Sequence, residues 1–169
     1  MDLPLAGPDG ARGILALQAV RLAISEHRGY ILQLDVRDAS GGGFADPHEH
    51  EGAGDWRNPG FAAKNVAALA TNGAVIGVLG GFNEPVARAE ARVARREHIP
   101  IVLAPRVSDA LTGSQRAQFE AAYRQRYGEA PDDLAEHYYA ATKLILDCGS
   151  HSRAALAACF RKGQSKWNR

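Results

Sequence analysis

The densest set of chemically capable side chains is Asp46, His48, Glu49, His50, Glu51 and Asp55, gathered in one short stretch. Imidazole and carboxylate groups ligate Zn²⁺, Ni²⁺ or Cu²⁺, and a His-x-His pair can offer two nitrogens to one ion. The stretch reads as loop, however, which fixes no geometry, and no cysteine joins the set. A solvated acidic loop is therefore the plainer reading, with metal binding through His48, Glu49, His50 and Glu51 as the alternative.

Other candidates for chemistry are sparser. Gly77-Val78-Leu79-Gly80-Gly81 lacks the Lys-Ser/Thr of a phosphate loop. There is no Gly-x-Ser-x-Gly nucleophile elbow. His27 and His98 sit where helices are expected to end, a position that suits a cation against the helix dipole. His137 falls on an amphipathic helix and reads as a packed histidine. Trp56 and Trp167 lie in the loop and the tail, as anchors or partner contacts. Cys148 and Cys159 can form a disulfide, although two thiols packed as small apolar groups are the favoured reading. With no nucleophile or acid–base pair in a motif context, the expectation is a protein that is not an enzyme and carries no cofactor.

The elements that would position these groups alternate along the chain. Short apolar runs at residues 3–6, 31–36, 74–79 and 99–104 read as strands. Between them, residues 14–24, 61–71 and 83–97 carry helical patterns, the last capped by Asn83. Strand and helix in alternation predict right-handed βαβ crossovers and a parallel sheet. After Pro105 the pattern turns helical. One helix opens at Ser114 and ends at Tyr127-Gly128, a second starts with Pro131 at its first position and ends near Cys148, and a third covers residues 152–161. The expected organisation is a single α/β lobe over residues 1–161, with an irregular insertion at 39–59, a helical part at 113–161 and a polar tail at 162–169.

Composition narrows the function classes. The chain has 169 residues, a formal net charge of +1 and 46% hydrophobic residues. Its arginines are interspersed with acids, giving no nucleic-acid footprint. No apolar run approaches the roughly 18 residues that span a bilayer, so membrane insertion is not expected. No signal peptide is visible at Met1-Asp2-Leu3-Pro4.

Four ordered segments resemble the type I periplasmic binding proteins of the branched-chain amino acid ABC transporter family. Pro4-Leu5-Ala6-Gly7-Pro8 with Gly13 is similar to the family's opening turn, and Val36-Arg37-Asp38-Ala39 to its second-strand exit. Residues 74–81 with His98-Ile99-Pro100-Ile101-Val102-Leu103-Ala104-Pro105 resemble its third and fourth strands. Phe119, Tyr123, Tyr127-Gly128, Pro131 and Tyr139-Ala140-Ala141 resemble a late helical phrase. The family's second lobe has no counterpart, and the opening strand looks cut short.

The resemblance implies an open, mostly parallel sheet of order 2-1-3-4 with helices on both faces, a flavodoxin-like single lobe. It places a ligand beyond the carboxyl ends of the strands, at Arg12, Gly80, Gly81, Phe82, Asn83, Pro105 and Ser108. Glu84, near that helix start, would oppose a bound carboxylate. It implies amino-acid or related small-molecule binding linked to ABC import, in the periplasm or outside the cell, with the cytoplasm left open. Half a flytrap buries half a ligand, so the monomer should bind weakly. The alternatives are a scaffold that keeps the fold and dimerises, and a metal-binding accessory protein using the His48/His50 loop.

Overall fold

Helices hold most of this chain, and the strands that join them are two or three residues long. A computed structural model describes residues 1–29, 32–40, 59–107 and 111–167, with side chains to Lys162. In chain order the elements are β1 (Asp2–Leu3), α1 (Gly10–Glu26), β2 (Arg37–Asp38), α2 (Pro59–Thr71), β3 (Val78–Gly80), α3 (Glu84–Arg96) and β4 (Ile101–Leu103). A 3₁₀ turn at Ala104–Arg106 leads to α4 (Gly113–Tyr127), α5 (Asp133–Asp147) and α6 (Arg153–Trp167).

The expected continuous sheet is not formed. Among the described residues β1 pairs in parallel only with β2, and β3 only with β4, giving two separate two-stranded sheets. A helix-dominated fold with two small sheets replaces the open parallel sheet of order 2-1-3-4. Part of the reason is local. The β3–β4 ladder begins where Val78 N–H donates to the Pro100 carbonyl at 2.8 Å, and Pro100, having no N–H, cannot carry it further back. The apolar residues 74–77 therefore stay outside any ladder, and residues 32–36, beside β1, do so as well, although the pattern of both reads as strand.

What strands exist are wedged between helix pairs. Side chains alternate across a strand, so Val78 enters a cluster with Val66, Leu69, Val93 and Ile99 from the α2–α3 side. Its neighbour Leu79 joins Leu3, Val20, Val102 and Tyr138 on the α1–α5 side. The helix ends follow their sequence signals. Asn83 caps α3 by accepting from Val86 N–H, and Thr112 forms a capping box with Gln115. Gly128 closes α4 in the left-handed conformation, φ 76°. Pro131 lies just outside α5, whose cap is Asp132.

The late aromatic phrase is packing. Phe119, Tyr123 and Tyr139 form one cluster with Ala19, Leu22 and Ala23 of α1. The Tyr123 hydroxyl donates to the Leu15 carbonyl (3.2 Å) and to Gln18 Oε1 (2.5 Å), and the Tyr127 hydroxyl to the Gln18 carbonyl (2.9 Å). Tyr139 donates to Glu26 at 2.5 Å. These bonds satisfy the polar tips of rings whose bodies are buried.

Cys148 and Cys159 form a disulfide, with Cα atoms 5.8 Å apart, in place of the free thiols the sequence favoured. It ties α6 to the end of α5. Arg153 fixes α6 on its other side, donating to the carbonyls of Val75 (2.7 Å), Ala70 (2.9 Å) and Asn72 (2.7 Å). Two of those carbonyls lie at the open end of α2, where a cation is favourable. Arg153→Ala should cost about 2 kcal/mol in urea denaturation; an unchanged midpoint would remove this role.

Candidate functional site

The expected ligand residues are structural in their contacts. Arg12 donates to Asp132 Oδ2 and Asp133 Oδ1, both at 2.9 Å, so its guanidinium is committed to the start of α5. Gly80 is buried, Gly81 sits against Leu103 and Pro105, and Phe82 packs on the α1–α5 cluster. Asn83 is the α3 cap. Glu84 is paired with Arg88 (2.8 Å) and Arg106 (2.9 Å), which hold its carboxyl below the usual range, the Arg88 bond foremost. Gly81 and Pro105 are thus in contact, while the Arg12 side chain is paired with the start of α5. Ser108 lies outside the described residues, as do His48, Glu49, His50 and Glu51.

The structure offers another place. A cavity of about 590 Å³ opens between the two sheets. Residues 32–36 form one wall and residues 74–77 the facing one, with Val20 and Ile24 of α1, Ile145 of α5 and Leu156 of α6 also lining it. Met1 also lines it. Its amino nitrogen donates to the Asp35 carbonyl at 2.7 Å, and burial lowers the pKa of that amine. Gln33, Asn72, Ser150 and His151 add a polar fringe.

Near the Met1 amine lies a buried acidic pair that sequence reasoning missed. Asp2 of β1 accepts from Asn65 Nδ2 at 2.7 Å through Oδ1, while its Oδ2 has no partner. Glu90 of α3 is 0% exposed, and neither of its carboxylate oxygens has a hydrogen-bond partner. The Tyr138 hydroxyl is similarly buried and unpartnered. Burial pushes the Asp2 carboxyl up to about 6 and raises Glu90 well above its ordinary value, with the charge of Asp2 adding to the Glu90 shift. Both groups are held toward the neutral acid. The sequence did carry one signal: Glu90 falls in the stripe Val86, Glu90, Val93, Ala94, where α3 turns its other members inward.

Among the described residues, no three His, Cys, Asp or Glu side chains gather into a metal-binding group; the His48/His50 loop lies outside those residues. No helix among them is long and apolar enough to cross a membrane. No family model, curated protein or solved structure matches the chain. With the sheet divided and no family matched, membership of the periplasmic amino-acid receptors is overturned, and so are the transport function and fold-retaining scaffold that the resemblance implied.

Proposed function

We propose that this chain is a non-enzymatic binding module that receives an elongated, mainly apolar ligand in the cavity between residues 32–36 and 74–77. The observation behind this is the lining itself. Val20, Ile24, Leu32, Leu34, Ile76 and Ile145 face one space, and all but Val20 are only half-buried. Burying such side chains gains about 25 cal/mol per Å², so an apolar occupant is favoured over water. Concavity, apolar walls and a few polar groups are what ligand sites share. The Cys148–Cys159 bond supports an oxidising location, periplasmic or extracellular.

Titration with an environment-sensitive apolar dye such as anilinonaphthalene sulfonate tests the site. The expected result is saturable one-to-one binding to the native protein and at least tenfold weaker binding to Ile145→Trp, whose indole occupies the cavity. Equal dye binding by a folded Ile145→Trp variant would place the dye elsewhere and defeat the proposal.

A further inference from the structure

In the sequence Arg88, Arg92, Arg95 and Arg96 are interleaved with Glu84, Glu90 and Glu97, and the fold separates the two charges. A spacing of i, i+4, i+7 and i+8 puts the four arginines on one face of α3, and all four are exposed. Glu90, which offsets them in a linear count, is instead turned inward with Val86, Val93 and Ala94. Of the acids left outside, Glu84 is held by both Arg88 (2.8 Å) and Arg106 (2.9 Å), and Glu97 by Arg96 (2.7 Å). Arg92 and Arg95 have no acid partner among the described residues. Five guanidiniums thus share this face with two carboxylates, leaving about three uncompensated positive charges in a chain whose formal net charge is +1.

The stripe is long and shallow. From Arg88 to Arg96 the helix rises about 12 Å at 1.5 Å per residue, and α3 contributes no residue to the described cavity walls. Such a face addresses an array of anions, not one enclosed ion, and guanidinium forks suit phosphate oxygens. The uncharged positions beside the arginines are the exposed Pro85 and the half-buried Ala91. No aromatic ring is offered there to stack a base and no amide to read one. No large apolar side chain is offered to a bilayer core either. The Cys148–Cys159 bond belongs with an oxidising compartment, where lipid surfaces are at hand and polynucleotides are scarce. We infer that the arginine face of α3 docks on a bilayer surface bearing anionic phospholipids, at the level of the headgroups. This does not depend on the cavity between residues 32–36 and 74–77. Each arginine near such a surface raises partitioning about fivefold, and the attraction fades beyond a Debye length of about 10 Å at 0.1 M salt.

Co-sedimentation of the full chain with vesicles tests the docking face. At about 0.1 M salt, vesicles of equimolar phosphatidylcholine and phosphatidylglycerol should carry the protein down, and vesicles of phosphatidylcholine alone should not. Arg92→Gln/Arg95→Gln should weaken binding about 25-fold, two arginines' worth. Both side chains are exposed and unpaired, so the variant should keep the parent's circular dichroism. Arg92→Lys/Arg95→Lys preserves the charge and should stay within about threefold of the parent. Arg21→Gln/Arg28→Gln, which removes the same charge from exposed positions in α1 and just past its end, should do likewise. Absence of binding to the anionic vesicles, or an equal loss in the α1 pair, overturns the proposal. Tighter binding to a short DNA duplex than to the vesicles assigns the stripe to nucleic acid and overturns it as well.

Discussion

Gly13→Ala should unfold much of the population or cost about 3 kcal/mol or more, the upper end for forced overpacking. A methyl at Gly13 would overlap the Pro4 carbonyl oxygen and come within 2.8 Å of the Pro4 carbonyl carbon. The obstacle is backbone, which no rotamer change can clear, and it is the segment leaving β1. α1 would have to lift from the strand end that it packs against. In an unconstrained helix the same change would gain about 1 kcal/mol, so steric exclusion must outweigh propensity here. Gly113→Ala, whose added methyl meets nothing within 4 Å, is the matched control and should be near neutral. Urea midpoints of the two variants check the contrast; a Gly13→Ala protein within 1 kcal/mol of the parent would mean that β1 and α1 are not so tightly apposed.

Stability should fall as pH rises from about 5 to 8. The folded carboxyl of Asp2 titrates near 6 against an ordinary 3.8, and Glu90 is raised as well. Between those values the folded state holds more protons than the unfolded chain, so stability is full below the ordinary pKa and is lost through the raised one. The Asp2 shift corresponds to about 3 kcal/mol, and Glu90 adds in the same direction. Asp38 and Tyr138 also face the pair. The buried Met1 amine, lowered by burial, works in the opposite sense near its own titration and blunts the upper end. The expected observation is a lower urea midpoint at pH 8 than at pH 5. Glu90→Gln, neutral throughout, should flatten the profile and exceed the parent at pH 8. Stability that rises steadily from pH 5 to 8 would contradict a neutral acid pair.

Much of the helical layout was legible because its signals are local. Asn83 as a cap, Gly128 as a left-handed stop and the Ala-rich register of α2 each act within a turn or two of their own position. The sheet was not, because ladders depend on distant partners. Ile31 to Val36 and Ala74 to Leu79 have strand chemistry, yet only residues 78–80 and 37–38 enter ladders, and a proline on the neighbouring strand helps decide where one begins. The aromatic phrase at Phe119, Tyr123, Tyr127 and Tyr139 was visible as a pattern but misassigned, since its hydroxyls serve contacts with α1. The cavity left no trace in composition. It is produced by what two backbones fail to pair with, and no single segment records that. Glu90 could have been noticed as an acid in an apolar stripe, whereas its proximity to Asp2 depends on tertiary packing.

The α1–α5 contact joins residues more than a hundred positions apart, as in the Tyr139–Glu26 bond with its separation of 113. During synthesis at about 5–20 residues per second, α1 waits on the order of ten seconds before α5 exists to cover it. Through that interval Ala16, Ala19, Val20, Leu22 and Ala23, all buried in the finished molecule, remain uncovered. Loop-closure entropy further delays a contact of such span. The nascent chain therefore presents an apolar helix to its surroundings for most of its synthesis, and that makes α1 the segment most in need of a holding chaperone.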